Sequence, residues 1–214
     1  MSDSAHPLVK HFRHVFSLID EQKQGGVWKK SIEESHVHLA DLATLIEIYS
    51  NCSAANICGT RTASRFPDVK ERVLFKIYEE VSDKKAALAS CLKTLRRIHI
   101  SLSNACQQAL QAYSHETQKL PVGDVCHRTE LYPSIADMVE WTSKIDQQFI
   151  NNVFVKEYLL ENLELDEDFA IEKFASEWKK EHAIISSYLS GEYSGSMLLF
   201  KQYSLPLFGW LCHE

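Results

Sequence analysis

Ten histidines and six cysteines among 214 residues supply raw material for metal chemistry, because imidazole and thiolate are the ligands zinc-like cations prefer. Their spacing does not organise them. There is no Cys-x-x-Cys, no His-Glu-x-x-His and no paired Cys/His module. His36-Val37-His38 sets its two rings on different faces of a helix, since residues two apart do not meet. Cys52 and Cys58 share a segment of loop composition and offer at most a redox-sensitive pair. Nucleotide chemistry fares no better. Neither Gly-x-x-x-x-Gly-Lys-Ser/Thr nor Gly-x-Gly-x-x-Gly occurs, so no run of backbone N–H groups is set to cradle phosphate. No Ser-His-Asp or Cys-His set stands out, and the chain reads as a non-enzyme with no metal and no other cofactor.

Charge and hydropathy narrow the partners. Lys and Arg number 23 against 29 Asp and Glu, a net charge of −6, so no global basic field recruits nucleic acid and no direct DNA binding is expected. Locally, residues 85–119 carry Lys85, Lys93, Arg96, Arg97 and Lys119 against Glu116 alone, whereas residues 161–181 carry eight acids against three lysines. The two segments either pair with each other or meet partners, because complementary fields steer association. Arg96-Arg97 without interleaved aromatics is a weaker basis for an RNA face. The most apolar region, residues 197–212, is interrupted by Lys201 and Pro206 and falls short of the ~20 residues that span a bilayer. No membrane association is expected. Six cysteines behind an N-terminus without an apolar signal stretch read as reduced thiols of the cytosol or nucleus.

The elements that position these groups are set by where glycine and proline fall. They number only 7 and 5 and leave 8–24, 27–58, 68–120 and 134–190 free of both. A helix interior tolerates Gly at a cost of ~1 kcal/mol and Pro at ~3 kcal/mol, so clean stretches of this length predict an all-α chain. Leu8, Val9, Phe12, Val15, Phe16 and Ile19 form one helical stripe, and Gly25-Gly26 stops that helix. A second helix carrying Trp28, Ile32, Leu39, Leu42, Leu45, Ile46 and Tyr49 is expected to close a short N-terminal hairpin. Residues 51–65 lack periodicity and read as a loop.

Two long antiparallel, coiled-coil-like helices follow, over 68–120 and 134–163. Leu74, Val81, Leu88, Leu95, Leu102 and Ala109 recur every seventh position, with Tyr78, Lys85, Leu92, His99, Cys106 and Tyr113 as the companion set. Lys85 and His99 interrupt the seam, which sets register more often than it makes a site. In the second rod Ser134 stands as N-cap with Asp137 at the capping-box position. Ile135, Met138, Thr142, Ile145, Phe149 and Val153 form its inner face. Trp141 is either core or an interface anchor. An acidic break at residues 164–168 precedes a last helix carrying Phe169, Phe174, Trp178, Ile185 and Leu189. Residues 7–190 thus form the helical domain, and 191–214 an irregular tail.

Several strings resemble the AIRIM family, ribosome maturation factors that bind an AAA+ ATPase. Phe66-Pro67-Asp68-Val69-Lys70-Glu71-Arg72-Val73 is similar to the start of that family's central helix, and Pro133-Ser134-Ile135-Ala136-Asp137-Met138-Val139-Glu140-Trp141 to its second signature. Lys156-Glu157-Tyr158-Leu159-Leu160 resembles its Lys-x-Tyr-Leu-Leu ending, and Glu21-Gln22 followed by Trp28 fits its N-terminus. The resemblance covers roughly residues 7–185; the loop at 51–65, the Gly25-Gly26 insertion and the tail depart from it.

The resemblance implies a non-catalytic adaptor, cytoplasmic and nuclear. Its implied partners are a hexameric AAA+ ATPase of the Afg2/Spata5 kind and a second small helical subunit of the CINP type. It would act, without gripping them itself, on late large-subunit ribosome precursors, where the ATPase releases a shuttling assembly factor for recycling. A role at replication forks is also attached to the family. On this reading Phe66, Pro67, Asp68, Lys70, Glu71 and Arg72 shape the start of the central rod. Pro133, Ser134, Asp137, Met138 and Trp141 fix the second rod and part of the partner surface, with Tyr158, Leu159 and Leu160 at its end. A coiled-coil tether or cytoskeletal subunit unrelated to ribosomes is the competing reading.

Overall fold

A computed structural model describes residues 7–23, 25–57, 59–118, 120–128, 133–163 and 171–180. Every regular element among them is a helix: α1 (Pro7–Lys23), α2 (Val27–Ala54), α3 (Arg61–Arg65), α4 (Val69–Glu116), α5 (Val122–Cys126), α6 (Ile135–Glu161) and α7 (Ile171–Lys179). No helix among these residues is long and apolar enough to cross a membrane. Cys58, the acidic break at 164–168, Phe169, Ile185, Leu189 and the 191–214 tail lie outside the described residues.

The helix boundaries have local causes. Gly25 sits at φ 125°, a conformation a side chain would strain, and extended Gly26 caps α2. The expected loop at 51–65 is corrected in part. There α2 continues to Ala54, and Arg61–Arg65 form α3 because the Thr60 hydroxyl accepts from Ala63 N–H at 3.2 Å. None of the α3 residues is buried, so no apolar periodicity announces it. The start of α6 carries the expected capping box: Ser134 N–H donates to Asp137 Oδ2 at 2.9 Å and Asp137 N–H donates to Ser134 Oγ at 3.0 Å. Each satisfies an amide the helix leaves unpaired. Ser134→Ala is expected to lower stability by about 1 kcal/mol in urea unfolding, with Ser134→Thr recovering most of it.

The chain packs as two units. One gathers α1, α4 from Arg97, α5, and α6 as far as Asn152; the other gathers α2, α3, α4 up to Arg96, α6 from Val153, and α7. The two helices expected to close a hairpin fall in different units. In the first unit the α1 stripe of Leu8, Phe12, Val15, Phe16 and Ile19 is buried, and Phe16 meets Trp141 of α6 edge to face at 6.3 Å. Leu102, Cys106 and Ala109 of α4 and Met138, Ile145 and Phe149 of α6 share that core.

The seam histidine is accommodated rather than exposed. His99 is buried with Nε2 3.2 Å from Asp146 Oδ1, and Ser103 Oγ donates to Asp146 Oδ2 at 3.3 Å. A buried polar group is tolerated when it is bonded. Burial, with Asp146 adding to it, pushes the nearby Cys106 thiol up to about 12.

In the second unit Ile32, Leu39, Leu42 and Ile46 of α2 are buried, as are Val81, Leu88, Leu92 and Leu95 of α4. α7 lies on α2 and anchors there through Trp178, which is fully buried. Its indole Nε1 donates to Ser35 Oγ at 3.1 Å, and the Phe174 ring stacks on it at 5.8 Å. Lys156, itself buried, donates its Nζ to the Trp178 carbonyl at 2.8 Å.

Candidate interaction surface

The start of α4 is tied to the end of α2 by one cation. Lys70 Nζ donates to the carbonyls of Ser53 at 2.6 Å and Ala55 at 2.8 Å. A helix C-terminus leaves such acceptors orphaned, and a lysine there both bonds them and meets the negative end of the helix dipole. Asp68 and Arg72 form an exposed pair at 3.8 Å one turn apart, and Glu71 places an acid in the first turn. Phe66 and Pro67 stay exposed ahead of them. Of this string, the side chain with a long-range structural contact on view is Lys70.

The second string divides differently. Pro133 and Ser134 are buried, and Asp137 completes the cap with Arg128 Nε 3.9 Å away. Met138 and Trp141 are 2% and 3% exposed. The thioether and indole pack in the core of the first unit. Tyr158, by contrast, is 66% exposed, while Leu159 and Leu160 are half-buried.

Leu160 also helps line a groove of about 690 Å³ in the second unit, whose walls include Tyr78, Val81, Lys85, Ala89 and Leu163. Lys85 Nζ donates to the Leu163 carbonyl at 2.8 Å across its floor, so the charge that interrupts the heptad seam secures the segment following α6. Tyr78 is 57% exposed and Phe75 63%, and Phe154 and Tyr158 add two more open rings from α6. Arg96 donates to Glu157 from Nε and Nη2, at 2.8 and 2.5 Å, and lies over the Phe154 ring at 5.8 Å. The Glu157 carboxylate raises the guanidinium's affinity for its proton. Arg96, part of the basic stretch expected either to pair with residues 161–181 or to meet partners, takes an acid from α6. Exposed aromatic rings and an apolar groove are the surface features that anchor protein partners.

A second cluster escapes the spacing rules. Glu34 and His38 of α2 and Cys91 of α4 bring one ligand-type atom each within 4.8 Å of the others. The local signal is the four-residue step from Glu34 to His38, which shares a helix face. The third member lies on another helix and has no local signal.

The family model described as CA109-like, ribosome biogenesis protein C1orf109-like, matches residues 6–188. The chain belongs to that family. The match spans both packing units and is the AIRIM resemblance read from the proline-led strings. Among relatives, the mouse AFG2-interacting ribosome maturation factor is 25% identical over 166 residues, covering 78% of this chain and 76% of its own. The Xenopus tropicalis protein of that name is 29% identical over 134 residues, covering 63% and 65%. The human one is 24% identical over 168 residues, covering 77% and 80%.

Proposed function

We propose that this chain is a non-catalytic adaptor of an AFG2-type AAA+ ATPase in late maturation of the large ribosomal subunit. The observation that carries the reading is membership, over residues 6–188, in a family described as ribosome biogenesis proteins. Relatives named for interaction with AFG2 support the partner. The groove and the open rings of Phe75, Tyr78 and Tyr158 supply the physical means. Large rings half or more in water become anchors once a partner covers them. ATP chemistry belongs to the partner on this reading. A second small helical subunit of the CINP type completes the assembly, which works in cytoplasm and nucleus, releases a shuttling assembly factor for recycling, and serves replisome protein turnover as a further use.

The test is capture by the tagged full chain from extract. Recovery of an AFG2-type ATPase is expected, and Tyr78→Asp/Tyr158→Asp reduces it by about tenfold or more, the loss of one to two anchors. Both positions are exposed, so the helical circular dichroism and melting temperature stay unchanged. A wild-type chain that recovers no such ATPase overturns the adaptor reading. Undiminished capture by the double variant removes this face from it.

A further inference from the structure

Glu34 and His38 stand one turn apart on α2, with Glu34 Oε1 3.9 Å from His38 Nε2. Cys91 reaches the same place from α4 and is buried. The second observation is on the ring itself: His38 Nδ1 is shut off from solvent and has no hydrogen-bond partner. A buried polar atom without a partner costs about 1–3 kcal/mol, and an ion is one of the few things that account for such an atom in a native fold. Neither ring nitrogen is therefore engaged in a hydrogen bond that a metal would have to break, since 3.9 Å exceeds hydrogen-bond reach.

We propose that Glu34, His38 and Cys91 form a site for a divalent cation of the zinc class, held between α2 and α4. The donor set selects the cation. One oxygen, one nitrogen and one sulfur suit a borderline-soft ion, whereas magnesium and calcium take oxygen donors throughout. Bond lengths of about 2.0–2.3 Å put tetrahedral ligand atoms roughly 3.3–3.8 Å apart, so the cluster must contract by about an ångström. Glu34 is the group that moves: its side chain is exposed, whereas His38 and Cys91 are held between the helices. The same exposed side admits the ion and leaves water as the fourth ligand. On binding, the Cys91 S–H bond breaks, the sulfur lone pair goes to the metal and the proton leaves to buffer; nothing is oxidised or reduced. Bound metal then ties α2 to α4 and stabilises the fold by mass action.

The test titrates metal-free full-length chain with Co²⁺, whose thiolate charge-transfer band in the near ultraviolet reports a Co–S bond, and then competes it with Zn²⁺. One equivalent of band-forming Co²⁺, bleached by zinc, is expected, together with a higher melting temperature in zinc. Cys91→Ser abolishes the band, and Cys106→Ala and Cys126→Ala keep it. His38→Gln and Glu34→Gln weaken Co²⁺ binding about tenfold or more. A wild-type chain without the band overturns the proposal, as does a band that survives Cys91→Ser. Should Cys91→Ser lose its helical circular dichroism, His38→Gln decides, and unchanged Co²⁺ affinity in that variant overturns the site.

Discussion

Trp178→Ala lowers stability by ~3–5 kcal/mol, the range for truncating a large buried aromatic. Three independent losses converge on this position. The fully buried indole leaves a cavity. Ser35 Oγ loses the Nε1 donor it meets at 3.1 Å, and Ser35 is itself buried. Phe174 loses its stacking partner. The bond from Lys156 Nζ to the Trp178 carbonyl survives the substitution, but it then holds a helix whose anchor is gone. With α7 only nine residues long, packing and not intrinsic propensity keeps it helical. Equilibrium urea unfolding checks the size: at ~2 kcal/mol/M the midpoint falls by about 2 M. Hydrogen exchange checks the place, with protection lost first in α7 and in the facing turns of α2. Trp178→Phe retains most of the volume but not the N–H donor, and falls between the two.

What the sequence makes legible is whatever a single helix encodes about itself. The α1 stripe, the buried positions 88, 92, 95, 99, 102, 106 and 109 of α4, and the reciprocal Ser134/Asp137 cap are all local patterns, and each is found where the spacing puts it. Tyr78 shows the limit. Heptad counting assigns it to the seam, yet it is open to solvent, because a helix's own period says nothing about how far its covering neighbour extends. The N-terminal pair of helices marks a related limit. Two consecutive apolar stripes say that each helix needs a partner, not that each is the other's.

The interaction surface is legible in part. Tyr158 and Leu160 are singled out by the Lys-x-Tyr-Leu-Leu string, while Phe75 and Tyr78 emerge as open rings only once the fold is in view. Contacts such as Trp178 with Ser35, or Cys91 with Glu34 and His38, depend on the relative rotation of helices far apart in the chain. No local window contains that information.

Trp141 admits two readings from its spacing, core and anchor, and its 3% exposure favours the first. Trp141→Ala is accordingly expected to destabilise the α1/α6 packing by ~3–5 kcal/mol, since the indole is nearly fully buried and Phe16 loses its edge-to-face neighbour. The measurement must separate folding from binding. Urea unfolding gives the stability loss. Capture of the AFG2-type ATPase is then compared at a temperature where circular dichroism shows the variant still folded. Equal capture there is the outcome a core role requires. An anchor would behave in the opposite way, leaving the midpoint of unfolding in place while capture falls, as expected for Tyr78→Asp/Tyr158→Asp. The two variants thus form a crossed pair, one moving stability and sparing capture, the other sparing stability and moving capture. Failure of either arm would show that a ring has been assigned to the wrong side of the protein's surface.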